Sequence, residues 1–217
     1  MLPPERLSLM VLTDPRCGPG RTVLDVVHRA LHGGAPSVQL RAKHGTSRDM
    51  LELARELRRL TREAGALLFV NDRVDIALAA DADGAHLGDD DLPLGEARRI
   101  TPVGFLIGRS VDTPEEAAAA ERDGADYVGL GPIYGTPSKL DAAEPIGIEG
   151  IAAVRASTRL PIVAIGGMDE VSGRAATAAG ADGIAVIRAV MEADDPAEAA
   201  KRLVSAISNG IRERGGG

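Results

Sequence analysis

The chain has 217 residues, of which 44% are hydrophobic and 26% are charged. These fractions are close to the average for globular proteins, and they exclude the collagen-like, disordered and disulfide-scaffold classes. The 25 basic and 32 acidic residues give a net charge of −7, and aromatic residues make up 2% of the chain. A nucleic-acid-binding protein is therefore disfavoured, since such proteins carry basic faces and stacking rings.

The N-terminal segment and the single cysteine indicate the cellular compartment. Residues 1–14 contain only a short apolar run, far below the roughly 18 residues that a membrane span needs, and they do not resemble a secretory signal. Cys17 is the only cysteine, so no internal disulfide can form, and no histidine that might activate it lies nearby in the sequence. We therefore expect a cytoplasmic protein with no membrane or nucleic-acid partner.

Short runs rich in Val, Ile and Leu recur along the chain and predict strands. There are eight such runs, at residues 7–12, 38–40, 67–70, 84–87, 105–107, 127–130, 162–165 and 183–187. Segments with helical periodicity lie between them, most clearly at residues 47–64 and 113–123. The second of these begins with a capping residue, Thr113, followed by Pro114 at the first helical position. The last predicted helix begins at Pro196 and ends near Arg212.

The order of these elements predicts the fold class. Strands that are apolar throughout and alternate strictly with helices are typical of an α/β protein with a covered parallel sheet. Eight strand–helix units close most simply into a single (β/α)8 TIM barrel, and an open, doubly wound sheet is the alternative. We expect one domain over residues 1–217, in which residues 213–217 form a frayed tail.

The active site of such a barrel lies at the carboxyl ends of its strands, so the residues that follow each strand carry the functional prediction. After the second strand come Gln39, Arg41 and Lys43, whose side chains point the same way in an extended chain. Unpaired cations are costly to bury beside a covered strand. This pattern therefore predicts an anion site.

Carboxylates follow the next two strands. Asn71 and Asp72 end the third strand, and three aspartates at residues 89–91 follow the fourth. Hard oxygen ligands beside a cationic cluster are typical of Mg²⁺ that carries a polyphosphate. The alternative for residues 89–91 is an acidic loop that caps the next helix.

The last four strands add neutral and backbone groups. Ser110 follows the fifth strand and suits a ring nitrogen or an amino group, or else caps a helix. The long loop after the sixth strand has Lys139 as its one cation and is typical of a binding loop. Gly167 and a short helical piece after Ile187 and Arg188 lie where barrels usually bind phosphate. Two anion pockets at one barrel mouth would suit an enzyme that joins two phosphorylated fragments.

Several separate motifs together resemble the thiamine-phosphate synthase family. They lie in the order of the family between about Val11 and Val190, at residues 38–43, 71–73, 84–88 with Asp91, 129–134 with Thr136 and Lys139, and 165–167. The resemblance implies a (β/α)8 barrel that couples hydroxymethylpyrimidine diphosphate to hydroxyethylthiazole phosphate. It also implies that thiamine phosphate and pyrophosphate are the products and that Mg²⁺ is the cofactor.

The resemblance further implies roles for individual positions. It makes Asp72 and Asp91 the metal ligands, and it makes Lys139 and Ser110 the catalytic residues. The implied diphosphate ligands are Gln39, Arg41, Lys43 and Lys139, the pyrimidine contacts are Asn71 and Ser110, and the thiazole phosphate would be held by Thr136, Ser138, Gly167, Ile187 and Arg188. In the family mechanism the diphosphate departs first and leaves a pyrimidine-stabilised carbocation, which the thiazole nitrogen captures.

Three positions depart from the family pattern. Position 188 is Arg where the family often has Ser, position 135 is Gly where Pro is frequent, and position 112 is Asp where His is frequent. Arg188 could add a charge to the thiazole-phosphate pocket, or point away while the backbone binds the phosphate.

Two other functions compete with the synthase. The paralogous thiazole tautomerase looks similar at residues 108–111 and 165–169, but it needs a proton shuttle and no diphosphate pocket. The presence of Asp72 and Lys139 and the absence of His at position 112 favour the synthase. A non-catalytic phosphate-binding barrel is the second alternative, and it would be expected to lose the metal carboxylates first.

Overall fold

Eight parallel strands form a closed barrel in which each strand pairs with its neighbours in chain order, and β1 closes the ring against β8. The structure is a computed structural model, and it describes residues 2–135 and 144–216. The strands are β1 (Leu9–Leu12), β2 (Ser37–Leu40), β3 (Leu67–Asn71), β4 (Gly84–Leu87), β5 (Leu106–Val111), β6 (Tyr127–Leu130), β7 (Ile162–Ile165) and β8 (Gly183–Val186). This topology confirms the predicted TIM barrel, and the open-sheet alternative is wrong.

Helices surround the barrel. They are α1 (Val23–His32), α2 (Ser47–Glu63), α3 (Val74–Ala79), α4 (Leu94–Ile100), α5 (Pro114–Arg122), α6 (Gly147–Ser157), α7 (Glu170–Ala178), the short α8 (Arg188–Met191) and α9 (Pro196–Gly215). Thr113 caps α5 as predicted, because its side chain accepts the backbone N–H of Glu116. In the parts of the chain that the structure describes, no helix has the length and apolar character that crossing a membrane requires.

Three of the element boundaries that differ from the sequence prediction differ by two residues or more. The first strand starts at Leu9 because residues Pro4–Leu7 form a 3-10 turn. The fifth strand continues to Val111, so Ser110 lies within β5 and pairs with Gly129 of β6. The last helix extends to Gly215, three residues beyond the predicted end.

The core has two layers, because successive side chains of each strand point to opposite sides of the barrel wall. Outward-facing residues such as Val11, Val38 and Leu68 pack against the helices. Inward-facing residues fill the interior, where the rings of Phe69 and Tyr127 meet edge to face with centroids 5.3 Å apart. The interior is therefore a packed support for the barrel mouth.

Three similar arrangements, which we call the aspartate clamps, lie at the amino-terminal end of the barrel. In each, an aspartate lies immediately before an even-numbered strand. Its carboxylate accepts a backbone N–H from the odd-numbered strand that comes before it in the chain. The same carboxylate binds an arginine of the helix that leads into that odd-numbered strand. The clamps are Asp83 with Leu68 N (2.8 Å) and Arg58 (2.7 Å), Asp126 with Ile107 N (2.7 Å) and Arg98, and Asp182 with Ile162 N (2.9 Å) and Arg155 (3.0 Å). Pro36 occupies the corresponding place before β2.

Candidate active site

The carboxyl end of β3 places Asp72 at the barrel mouth among polar partners. Its backbone has a φ of 64°, a left-handed conformation that aspartate and asparagine adopt more readily than most residues. Lys43 Nζ lies 2.9 Å from Asp72 Oδ2, and the side-chain amide of Asn71 donates to the same carboxylate. The structure therefore brings Lys43, Asn71 and Asp72 together, as the sequence predicts.

Asp91 lies beside Asp72. Its carboxylate accepts the backbone N–H of Gly88 at 2.7 Å, which holds it inside the loop that follows β4. Burial raises the pKa of Asp91, and hydrogen-bond contact with the Asp72 carboxylate raises this pKa as well. Arg109 steadies the same loop, because its guanidinium contacts the Gly88 carbonyl and lies 2.7 Å from Asp89.

Two adjacent carboxylates fit a hard divalent cation, because the cation offsets their mutual repulsion. Among residues 2–135 and 144–216, no cluster of three or more His, Cys, Asp or Glu side chains could hold a metal. The described part of the chain thus offers two carboxylates, and Mg²⁺ typically takes one or two of these together with phosphate and water oxygens.

The three donors of the second strand lie at different depths. Gln39 is inside the barrel, 3% exposed, with Nε2 3.2 Å from Met10 Sδ. Arg41 follows the strand, and its backbone N–H donates to Thr13 Oγ1 at 2.9 Å. The side chain of Lys43 is about half exposed at the rim. The alternation places these residues on one side of the chain, but only Arg41 and Lys43 lie beyond the end of β2.

Ser110 belongs to a partly buried polar chain that the residue pattern alone did not reveal. Its Oγ lies 3.0 Å from His86 Nε2, and His86 Nδ1 lies 3.0 Å from the hydroxyl of Tyr127. Burial lowers the pKa of His86 to about 4 and raises the pKa of Tyr127, so both groups are neutral near pH 7. Their signal in the sequence is a polar side chain within an otherwise apolar run, and this signal does not show that the side chain points into the barrel.

Gly166 and Gly167 follow β7 and contact the loop that follows β6. Both have positive φ, at 99° and 66°, and the backbone N–H of Tyr134 donates to the Gly166 carbonyl at 3.1 Å. A Cβ on Gly167 would lie 2.8 Å from the Cβ of Tyr134. The predicted site residues Thr136, Ser138 and Lys139, which continue this loop, lie outside the described residues.

Ile187 and Arg188 begin the short helix α8 directly after β8. The Ile187 carbonyl accepts the N–H groups of Val190 and Met191, at 3.2 and 2.8 Å. Arg188 is exposed, and in the part of the chain that the structure describes its guanidinium has no hydrogen-bond or ion-pair partner. Gly167 and Ile187 follow the ends of β7 and β8, which are paired neighbours, so these two residues lie side by side at the mouth.

Comparison with known proteins gives matches along most of the chain. A family model described as thiamine monophosphate synthase matches residues 9–190. The thiamine-phosphate synthase of Moorella thermoacetica is 50% identical over 196 residues, which cover 90% of this chain and 93% of that protein. The corresponding protein of Chloroflexus aurantiacus is 51% identical over 201 residues, which cover 92% of each chain. A solved structure of thiamine phosphate pyrophosphorylase from Pyrococcus furiosus has 44% identity and a TM-score of 0.88, covering 96% of this chain and 98% of that one.

Proposed function

The chain belongs to the thiamine monophosphate synthase family, and from this membership we infer that it is an enzyme that joins a pyrimidine diphosphate to a thiazole phosphate. The products are thiamine phosphate and pyrophosphate. The observation that carries this inference is the identity of about half the residues over 90% or more of the chain. The relatives reported above carry the name of the synthase and give no support to the tautomerase alternative.

We propose that Mg²⁺ binds between Asp72 and Asp91. The contact between the two carboxylates and the raised pKa of Asp91 support this site, because a cation there would relieve their repulsion. Bound Mg²⁺ would neutralise charge on the diphosphate as that group leaves. Lys43 would then lie between the Mg²⁺ site and the diphosphate, since its ammonium already contacts Asp72 and its side chain remains about half exposed.

The diphosphate pocket consists of cations around that metal site. Arg41 and Lys43 follow β2 at the mouth, and Lys139 joins them in the proposal on the basis of the family resemblance. These groups stabilise the negative charge that gathers on the diphosphate oxygens as the C–O bond to the pyrimidine methylene breaks. The electron pair of that bond leaves with the diphosphate. The diphosphate role of Gln39 stays a prediction, and its buried position supports a contact deeper in the barrel.

Asn71 and Ser110 orient the pyrimidine. The amide of Asn71 donates to Asp72, which leaves its carbonyl oxygen as an acceptor for an amino group. Ser110 lies on β5, whose neighbour β4 leads into the loop that carries Asp91. The two contacts would therefore hold the pyrimidine next to the metal and the diphosphate cations.

The thiazole phosphate occupies the other side of the mouth. Gly167, Ile187 and Arg188 surround the ends of β7 and β8, and Thr136 and Ser138 are proposed to complete the pocket. The exposed Arg188 guanidinium supports an anion here, because a cation that has no partner among the described residues is available to pair with phosphate. From this pocket the thiazole nitrogen would donate its lone pair to the pyrimidine methylene carbon, which forms the new C–N bond.

The test is incubation of the purified protein with both phosphorylated fragments and Mg²⁺. We expect thiamine phosphate and pyrophosphate to appear in equal amounts, and neither to appear when one fragment is left out. Chelation should stop the reaction, and added Mg²⁺ should restore it. Absence of product would overturn the function, isomerisation of the thiazole phosphate alone would support the tautomerase, and a full rate with chelator would overturn the metal site.

A further inference from the structure

A threonine that follows β1 holds the backbone of a residue that follows β2. Regular pairing of the two strands ends with Leu12 and Gln39, and the Thr13 N–H then donates to the Gln39 carbonyl at 3.0 Å. In a parallel ladder, the next bond would take the N–H of Arg41 to the Thr13 carbonyl. This N–H donates to the side-chain oxygen of Thr13, at 2.9 Å. The Thr13 hydroxyl thus takes the place of a backbone acceptor.

The same hydroxyl binds both polar groups of the Arg41 backbone. It accepts the Arg41 N–H, and it donates its own proton to the Arg41 carbonyl at 3.2 Å. Because a backbone N–H only donates and a carbonyl only accepts, the two groups themselves fix the direction of both bonds. We call these two bonds the Thr13 clasp. Thr13 is 2% exposed, so the clasp lies away from bulk water.

Asp14 fixes the loop that carries Thr13. Its buried carboxylate accepts the backbone N–H of Arg16 at 2.9 Å. It also binds the guanidinium of Arg16 through two bonds, of 2.8 and 2.9 Å. Charge-assisted bonds of this bidentate kind are strong and geometrically specific. The Thr13 hydroxyl is therefore attached to a well-fixed turn.

Arg41 lies where the paired part of the chain gives way to an exposed loop. β2 ends at Leu40, and residues 43–46, which lead to α2, are exposed. Ordering a loop residue at the moment a ligand binds lowers the affinity for that ligand, whereas a residue that is already ordered avoids this cost. The Thr13 clasp orders the Arg41 backbone before any ligand arrives.

We propose that Thr13 is a positioning residue whose hydroxyl holds Arg41 in place to bind a diphosphate. Thr13 acts on the ligand through the Arg41 guanidinium and does not contact it. The diphosphate as ligand rests on the proposed function, whereas the Thr13 clasp is a feature of the protein alone. Removal of the hydroxyl would take a partner from both the N–H and the carbonyl of Arg41, so binding would have to order this residue anew.

Calorimetric titration with inorganic pyrophosphate in the presence of Mg²⁺ tests this role. Thr13→Val keeps the shape of the side chain without the hydroxyl, and Thr13→Ser keeps the hydroxyl. We expect Thr13→Val to weaken the affinity for pyrophosphate roughly tenfold, the effect of about one lost hydrogen bond, and Thr13→Ser to retain most of it. The affinity for the thiazole phosphate should be unchanged in both variants. Thr13→Ala against Thr13→Ser gives the same comparison if Thr13→Val does not fold.

A double-mutant cycle separates positioning from general damage. Since Thr13 acts through the guanidinium, adding Thr13→Val to Arg41→Ala should change the pyrophosphate affinity by less than about twofold. Thr61→Val is the matched control, because it removes an equally buried hydroxyl, which donates to the Arg58 carbonyl near the end of α2 that leads into β3. This control should keep the wild-type affinity for both ligands.

Amide hydrogen exchange examines the Thr13 clasp in the absence of ligand. The Arg41 N–H should exchange faster in Thr13→Val than in the wild type, and at nearly the wild-type rate in Thr13→Ser. The N–H of Ile107 in β5, which is bound by Asp126, should exchange equally in all three proteins. An unchanged rate at Arg41 in Thr13→Val would show that the hydroxyl does not order this residue, and the proposal would then be wrong.

Three binding results would also overturn the proposal. They are wild-type pyrophosphate affinity in Thr13→Val, equal losses of affinity for both ligands, and a loss of the same size with and without the Arg41 guanidinium. A failure of the proposed function is distinguishable, because the wild-type protein would then form no thiamine phosphate. The pyrophosphate titrations would still decide the role of Thr13, and a wild-type protein that binds no pyrophosphate would exclude that role.

Discussion

Asp72 combines an uncommon backbone conformation with several polar contacts. Its φ of 64° lies in a region that glycine, asparagine and aspartate adopt most readily. Its backbone N–H donates to the His86 carbonyl at 2.9 Å, and its carboxylate meets Lys43 and Asn71. The residue is therefore fixed both by its backbone and by its side chain, which suits a metal ligand.

We expect Asp72→Asn to lower kcat/KM roughly a hundredfold or more without unfolding the protein. Asparagine tolerates the left-handed conformation, so this change removes charge and leaves the backbone unstrained. Asp91→Asn should behave similarly, because its amide oxygen can still accept the N–H of Gly88. Activity should be measured over a range of Mg²⁺ concentrations, at which both variants should need more metal.

Asp90→Asn is the matched control for these variants. Asp90 is exposed and carries the same charge on the same loop as Asp91. Its substitution should leave the dependence on Mg²⁺ unchanged. Equal behaviour of the three variants would show that overall charge, and not two specific ligands, controls the metal requirement.

His86 should make the stability of the protein fall on mild acidification. Burial lowers its pKa in the folded state to about 4, while the unfolded chain has the usual value near 6.5. Between these values the unfolded state binds the extra proton, so the free energy of unfolding decreases as the pH falls from 6.5 towards 4. From pH 7 to pH 5 the loss attributable to His86 is about 2 kcal/mol.

Urea unfolding of the wild-type protein and His86→Gln at both pH values measures this difference. Glutamine does not titrate in this range, so the variant should lose about 2 kcal/mol less than the wild type. Identical pH dependence would mean that His86 is not neutral inside the barrel.

Single residues differ in how far the sequence predicts them. The positions of Asp72 and of the three aspartates at residues 89–91 after strand ends follow from the periodicity, whereas only the family resemblance singles out Asp91 among the three. His86 and Tyr127 lie within strands, and their inward direction follows from the register between β4, β5 and β6, which no local pattern reveals. Their contribution was therefore visible only in the structure.

At the scale of elements, pairing extends β5 beyond the run that predicts it. Gly108 and Arg109 are weak strand formers, so the apolar run alone ends the strand at Ile107. In the barrel Gly108, Arg109 and Ser110 pair with Tyr127, Val128 and Gly129. Tertiary pairing thus overrides the local preference and turns Ser110 from a loop residue into a strand residue with a fixed direction.

The contact between the β6 loop and Gly167 yields a prediction about that loop. Gly167→Ala combines a left-handed φ of 66° with a Cβ only 2.8 Å from Tyr134 Cβ. We expect it to lower the free energy of unfolding by about 1 to 2 kcal/mol and to reduce kcat, because residues 132–135 lead directly to Thr136, Ser138 and Lys139. Urea unfolding and steady-state kinetics measure the two effects.

Gly104→Ala separates backbone strain from displacement of the loop. Gly104 has a φ of 90°, nothing lies within 4 Å of the Cβ it would carry, and it precedes β5 at the amino-terminal end of the barrel. The Gly104→Ala variant should have a free energy of unfolding about 1 kcal/mol lower than the wild type, and it should keep the wild-type kcat. If Gly167→Ala kept the wild-type kcat too, the contact with the loop would have no role in catalysis.

At the scale of the whole molecule, the sequence predicts the barrel well because all eight strands are covered on both sides. Such strands have to be apolar throughout, and the helices between them have to be amphipathic, so each unit carries its own signal. Ring closure between β1 and β8 has no local signal, and it follows only from the number of units. The depth of Gln39 was not predictable, since strand alternation gives a direction and no position along the barrel axis.

The aspartate clamps predict where the stability of the barrel resides. Asp182→Ala would leave the backbone N–H of Ile162 without its partner, in a place where the Asp182 side chain is 12% exposed. It would also remove the carboxylate that pairs with Arg155, whose guanidinium would keep the carbonyls of Thr158 and Leu160 as partners. We expect a loss of about 2 to 4 kcal/mol in the free energy of unfolding, with kcat unchanged because the clamp lies at the end of the barrel opposite the mouth.

Arg59→Ala provides the comparison, because Arg59 pairs with Glu63 at an exposed site on α2. The free energy of unfolding of Arg59→Ala should fall by no more than about 0.5 kcal/mol. Equal urea midpoints for the two variants would show that the clamps stabilise the barrel no more than a surface ion pair does.

The clamps also divide the chain into segments at places that connectivity alone does not show. Each clamp joins a helix to the two strands that follow it, so its members lie within one stretch, from α2 to β4, from α4 to β6, or from α6 to β8. The loops after β4 and β6 link these three stretches, and the loop after β2 joins the first stretch to β1, α1 and β2. A circular permutant with new termini after β4 would keep every clamp within an unbroken piece of chain, whereas termini placed between α4 and β5 would divide one. The barrel is in this sense assembled from pairs of strands, and the clamps mark where one pair ends and the next begins.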